Sequence, residues 1–123
     1  MPRTAVTPAQ LSRNAGAAPT STTIDSTLVT NGVTIANANP EKLVIRFANT
    51  ASGGAKNIII RAGASLYPGV TSGQGDLSVS AAASTGVQRL GPLDSARFLQ
   101  SDGSLSIDFD SGTTGTLETS YLP

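Results

Sequence analysis

Four of the six aspartates of the chain fall within one stretch, LGPLDSARFLQSDGSLSIDFDSG, from Leu90 to Gly112. Asp108 and Asp110 stand two apart, a spacing that puts both carboxylates on one face of a strand. Paired carboxylates can share acid–base work when burial or mutual repulsion raises one pKa. These two lie on the face opposite Leu105, Ile107 and Phe109, so they are expected to be a solvated pair with ordinary acidity. The segment DFDSG also opens like a calcium loop, which needs oxygen ligands at fixed alternate positions and a late Glu. Phe109 is better explained as core, and no Glu follows at that spacing. No metal site is expected.

The remaining inventory also argues against catalysis. The chain has no His and no Cys, which removes Ser–His and Cys–His nucleophiles and zinc sites built from those residues. Lys42 and Lys56 read as surface charges. The loop GASLYPGVTSGQG, residues 63–75, is glycine-rich but lacks the Gly-Lys-Ser/Thr ending that holds phosphate. There is no Trp, Tyr121 lies on a core face, and Tyr67 alone is a weak platform for a sugar. The expectation is a protein that is not an enzyme, with no catalytic residues and no cofactor.

Composition narrows the partners. Eight Lys and Arg balance eight Asp and Glu over 123 residues, a length suited to one domain. The cations are scattered, and a nucleic-acid binder needs a basic face to release counterions. Near-neutral charge also lets many copies crowd together without strong repulsion. No disulfide framework is possible. The first residues contain no apolar h-region, so no signal peptide is expected. The longest aliphatic run, Ile58-Ile59-Ile60, is too short to span a membrane. No nucleic-acid or membrane partner is expected, and the chain is expected to stay where it is made.

The elements that would position these residues are strands. Residues 1–20 stand apart as an extended N-terminal arm. They hold Pro2, Pro8 and Pro19, with Val6 and Leu11 almost the only sizeable aliphatics, too little apolar surface to order the piece alone. From residue 21 the chain alternates strand and turn. Thr22 to Thr30 is rich in β-branched residues and runs into Asn31-Gly32, a hairpin turn signal. Val33 to Ala36 resumes, and Asn37 to Pro40 breaks. In Glu41 to Asn49, Leu43, Ile45 and Phe47 share one face. Lys56 to Ala62, Asp76 to Ala81, Val87 to Leu90, Ser104 to Asp110 and Thr116 to Leu122 follow. Ser95 to Leu99 fits one helical turn. About eight short strands at such spacing predict an all-β fold, an antiparallel β-sandwich of jelly-roll or Ig-like type over residues 21–123.

Within that frame the 90–112 stretch is architecture. Gly91-Pro92 ends a strand because Pro cannot donate to a ladder. Leu93 and Phe98 tuck under a sheet edge, Asp94 is placed to cap the short turn after it, and Asp102-Gly103 supplies a turn. The turn launches the next strand in the register that buries Leu105, Ile107 and Phe109.

The order of a strand, Gly91-Pro92, a connector with Arg97-Phe98, Asp102-Gly103, the alternating 104–110 strand and a final strand resembles small β-sandwich proteins encoded near the major capsid protein of tailed bacteriophages. The beginning, PRTAVTPAQL, is similar to the Arg/Thr/Pro leader of that group. Leu93 and Gln100 stand where Phe and Asn are common. The resemblance implies a head decoration, or cement, protein. Such a protein is made in the host cytoplasm and found on the outer surface of the capsid, where it binds and bridges major capsid subunits, with a symmetric homo-oligomer as a further expectation. It also implies capsid contact by the arm, through Pro2, Arg3, Thr4, Val6, Pro8, Leu11 and Arg13. By residue type, Arg3 and Arg13 suit capsid carboxylates, and Val6 and Leu11 suit shallow apolar pockets. The rival for the arm is that it packs back over an edge of its own sheets. The rival for function is a receptor- or glycan-binding module of a tail fibre or adhesin.

Overall fold

A computed structural model describes residues 3–18, 20–63, 75–93, 95–100 and 102–123. Two five-stranded sheets enclose one hydrophobic core. Pro2, Asp94 and most of the 63–75 loop, Tyr67 included, lie outside the described residues.

The first ten residues contribute two short strands, β1 (Thr4–Ala5) and β2 (Ala9–Gln10). Eight more follow: β3 (Thr20–Ile24), β4 (Val33–Ile35), β5 (Leu43–Asn49), β6 (Lys56–Ile60), β7 (Leu77–Ala81), β8 (Val87–Leu90), β9 (Leu105–Phe109) and β10 (Gly115–Tyr121). One sheet has the order β1-β4-β9-β6-β7. In the other, β10 lies between β5 and the pair β2 and β3, and β8 is beyond β5. All pairings are antiparallel except β1 with β4 and β2 with β10. The sheets are therefore mixed rather than purely antiparallel, because each receives one short parallel strand from the N-terminal segment.

The alternation read from the sequence decides which faces meet. Leu43, Ile45 and Phe47 of β5, Ile58 and Ile60 of β6, Leu105 and Ile107 of β9 and Leu117 of β10 are fully buried. Phe47 and Phe109 bring the two sheets together, with ring centroids 5.7 Å apart and planes tilted by 44°. Burying such side chains is worth about 1.5–3 kcal/mol each, so this inner layer dominates the stability. The largest of the buried polar side chains among the described residues, Asn49, lies beside it. Asn49 donates from Nδ2 to the carbonyls of Ala81 and Ala82, at 3.2 and 3.1 Å, and accepts from the Ala51 N–H at 3.0 Å. It ties the end of β5 to the connection between β7 and β8.

The expected strand Thr22–Thr30 is corrected. It ends at Ile24, and a helix, α1 (Ser26–Asn31), replaces the rest. Asp25 is the reason: its carboxylate accepts the Leu28 N–H at 2.8 Å, which satisfies a free donor of the first turn. Gly32, at φ +79°, closes the helix by donating to the Leu28 carbonyl at 2.8 Å. Asn31-Gly32 is thus a helix exit and not a hairpin turn. The single buried side chain of α1, Leu28, joins the core.

The described part of the connector from β8 to β9 follows its reading. β8 stops at Leu90, Leu93 and Phe98 are buried, and Ser95–Phe98 forms the short helix α2. Gly103 turns at φ +84°, and Asp102 accepts from the Ser104 N–H and hydroxyl, at 3.1 and 2.6 Å. β9 then enters the sheet between β4 and β6.

Candidate functional site

Among the described residues, three linked ion pairs gather where the N-terminal segment meets β9. Residues 3–11 follow the edges of both sheets. The Thr4 N–H donates to the Gly32 carbonyl and the Val6 N–H to the Thr34 carbonyl, each at 3.0 Å. Val6 is buried in the core. Past Pro8 the chain crosses to the other sheet, where Ala9 and Gln10 pair with Ser120 and Tyr121. The Leu11 N–H then donates to the Tyr121 carbonyl at 2.9 Å. An unpaired sheet edge invites association, and covering it is a common remedy.

Arg3 fixes the start of the arm. Its Nη1 donates to Asp108 Oδ1 at 2.7 Å and to the Ile107 carbonyl at 3.1 Å, and its Nη2 donates to Asp108 Oδ2 at 3.2 Å. The guanidinium passes over Gly32, where any Cβ would overlap both it and the Asp108 carboxylate. Gly32 therefore serves twice, by closing α1 and by leaving room for this pair.

Asp108 is shared. Arg61, just past β6, donates from Nε to Asp108 Oδ2 and from Nη1 to Asp76 Oδ2, the latter at 2.8 Å. Asp108 opposes Ile59 on β6, so Arg61 is its diagonal neighbour across the strands. Asp76 also accepts the Ala62 N–H at 2.5 Å. The result is a chain, Arg3–Asp108–Arg61–Asp76, across the outward face of the first sheet.

The acidities match this pairing. Partial burial pushes the Asp108 carboxyl up, but the hydrogen bonds from Arg3 and Arg61 outweigh it and hold the group below its ordinary range. The Ala62 N–H, and then Arg61, lower Asp76. Asp108 and then Asp76 raise Arg61. The Ser104 hydroxyl and N–H lower Asp102. General acid catalysis near neutral pH needs a carboxyl raised toward that pH. These three carboxyls are shifted the other way, Asp108 and Asp76 with arginine partners and Asp102 by hydrogen bonds from Ser104.

The expectation of a solvated Asp108–Asp110 pair therefore needs correction. The face is outward, as read, but both carboxylates have partners. Asp110 accepts the Asn57 N–H at 2.9 Å, and Lys56 donates to the Ser111 carbonyl at 2.9 Å. Among the described residues no group of acidic side chains is arranged to hold a metal, and no helix is long and apolar enough to cross a membrane.

The sequence-selected arm residues separate into two sets. Arg3, Thr4 and Val6 face their own body: an ion pair, a ladder residue and a core residue. For Arg3 the carboxylate partner is Asp108 of the same chain, and for Val6 the apolar pocket belongs to the same core. Pro8 and Leu11 are half-buried, and Arg13 is exposed. Pro2 lies outside the described residues. Sequence reasoning missed Gly32, Arg61 and Asp76. The only hint was an Arg and an Asp of opposite charge beside neighbouring strands, and their meeting depends on the strand order.

Beside Arg3 lies an open polar groove of about 380 Å³, lined by Arg3, Thr34, Gln100, Asp102, Ser104 and Ser106. Comparison with protein-family models, curated protein sequences and solved structures returned no match.

Proposed function

We propose that this chain is a structural virion protein, a head decoration protein that binds the outer surface of a tailed-phage capsid and stabilises the shell by bridging major capsid subunits. One observation carries the reading: the charge cluster fastens an N-terminal strand segment onto a small two-sheet body. Residues spent in this way build a mechanical attachment, and their acidities suit pairing rather than proton transfer. The resemblance of Gly91-Pro92, Arg97-Phe98, Asp102-Gly103 and the 104–110 strand to capsid-associated proteins supplies the partner. The contact between Phe47 and Phe109 supports the finer fold reading, a β-sandwich of jelly-roll or Ig-like type.

On this reading the docked arm offers the capsid Pro8, Leu11 and Arg13, while Arg3, Thr4 and Val6 hold it in place. Many modest contacts, repeated by symmetry, would sum to firm attachment. Co-sedimentation of the purified protein with undecorated capsids is the test. Saturable pelleting, weakened by Arg13→Ala together with Leu11→Ala, is expected. Protein that stays in the supernatant over intact undecorated capsids of the cognate phage overturns the proposal.

The polar groove beside Arg3 favours a second reading, a receptor- or glycan-binding module. Hydroxyl, amide and carboxylate groups converge there, as a sugar would require. Binding on a glycan array, lost on Gln100→Ala, would support that reading in place of the first.

A further inference from the structure

β2 and β3 occupy the same side of β10 and meet end to end. Gln10 pairs with Tyr121 and Thr20 pairs with Thr119, so the chain leaves β10 and returns to it two positions away. Between these two pairings the described residues 12–18 are exposed at every position. Seven extended residues reach about 23 Å, several times what the return to β10 demands. The arm is thus tethered by slack chain, with Asn14 at φ +58° in its turn.

The seat of the arm is specific, and every copy of the chain carries it. It consists of the Gly32 and Thr34 carbonyls, the pocket for Val6, the Asp108 carboxylate and the Tyr121 carbonyl. The segment that matches it is residues 3–11 of this sequence, from whichever copy they come. An arm seated on a neighbour makes the same hydrogen bonds, the same ion pair and the same burial as an arm seated at home. What separates the two states is concentration. A short flexible tether holds its own arm at an effective concentration of the order of millimolar, so own-seat docking wins in dilute solution and exchange competes once copies are crowded.

We propose that residues 3–11 exchange between copies of this protein, each arm lying on the β4 and β10 edges of a neighbour and linking the copies into a chain or a closed ring. The partner is a second copy, recognised by strand addition and by the Arg3–Asp108 pair. Net neutrality over 123 residues allows the required crowding. The proposal does not rest on the capsid reading, since exchange needs only this protein.

The chain has no cysteine, which makes a clean test possible. Ala5 and Thr34 are register partners on β1 and β4. One preparation carries Ala5→Cys alone and another Thr34→Cys alone. Mixed and oxidised at about 1 mM, they should form a disulfide-linked dimer at least about tenfold faster than Ala5→Cys mixed with Val87→Cys, which reports random collision at an exposed site. At about 10 µM the excess should vanish. The double variant Ala5→Cys/Thr34→Cys should close an intramolecular disulfide when dilute, which verifies that the arm is seated in the folded protein. Equal dimer rates for the two mixtures at high concentration overturn the proposal. So does a double variant that folds with the wild-type melting profile but never closes its own disulfide.

Discussion

Replacing Asp108 by Asn keeps the shape of the side chain and removes the charge that Arg3 and Arg61 share. Hydrogen bonds to a charged group contribute about 1.5–3 kcal/mol when buried, and exposed ion pairs about 0.2–1 kcal/mol. The Arg3–Asp108 pair lies between these limits, with side chains 31% and 18% exposed, and about 1–2 kcal/mol is reasonable for it. The Arg61 side chain is 45% exposed and keeps Asp76, so its share is at most about 0.5 kcal/mol. Asp108→Asn should therefore cost about 1–2.5 kcal/mol, which lowers the melting temperature of a domain this size by about 4–10 °C. Arg3→Gln should cost about 1–1.5 kcal/mol, and the double variant little more than Asp108→Asn alone, a coupling of about 1 kcal/mol.

The pH dependence provides a second check on the same pair. The folded carboxyl of Asp108 titrates below its unfolded value, so the native state binds the proton less readily. Its contribution is fully present above the unfolded pKa of about 3.9 and is lost as pH falls through the lower folded pKa. The difference in stability between wild type and Asp108→Asn should hold from neutral pH to about 4 and shrink below that. Thermal melts of the four proteins of the cycle, from pH 7 to pH 2.5, would measure both. Strictly additive single effects, within about 0.3–0.5 kcal/mol, would refute the claim that Arg3 anchors the arm through Asp108.

Three other outcomes follow from single features. Asn49→Ala should cost about 2–4 kcal/mol, because it leaves the Ala51 N–H and the Ala81 and Ala82 carbonyls short of a partner, and denaturant unfolding would show it. Phe109→Asp should prevent folding or cost more than about 4 kcal/mol, whereas Asp110→Ala should cost about 1 kcal/mol through the lost Asn57 bond; similar melts for the two would reverse the face assignment. A chelator should leave the melting temperature unchanged, as should added calcium, and a calcium shift of several degrees would revive a metal role for Asp108 and Asp110.

What the sequence disclosed, and what it hid, divides along a physical line. A strand buried on one face writes its orientation into alternate residues. Leu43, Ile45 and Phe47, like Leu105, Ile107 and Phe109, are therefore legible as core from pattern alone. α1 was hidden because Thr27, Val29 and Thr30 favour strands, while the decisive groups were the single residues at its ends. Those ends, Asp25 before the run and Gly32 after it, carry no periodicity, and the Asn31-Gly32 dipeptide equally suits a hairpin. The arm was hidden for a different reason. Pairing over two residues leaves no periodicity, and its seat is assembled from Gly32, Thr34, Asp108 and Tyr121, which only the strand order brings together. The same fact explains why Asp108 looked like a solvent residue. Its outward direction is local and legible, whereas its partners come from β1 and the end of β6. The composition argument that residues 1–20 cannot order themselves thus remains sound in isolation. It does not count the two open sheet edges that the rest of the chain presents to them. Those edges gain from being covered as much as the arm gains from lying on them.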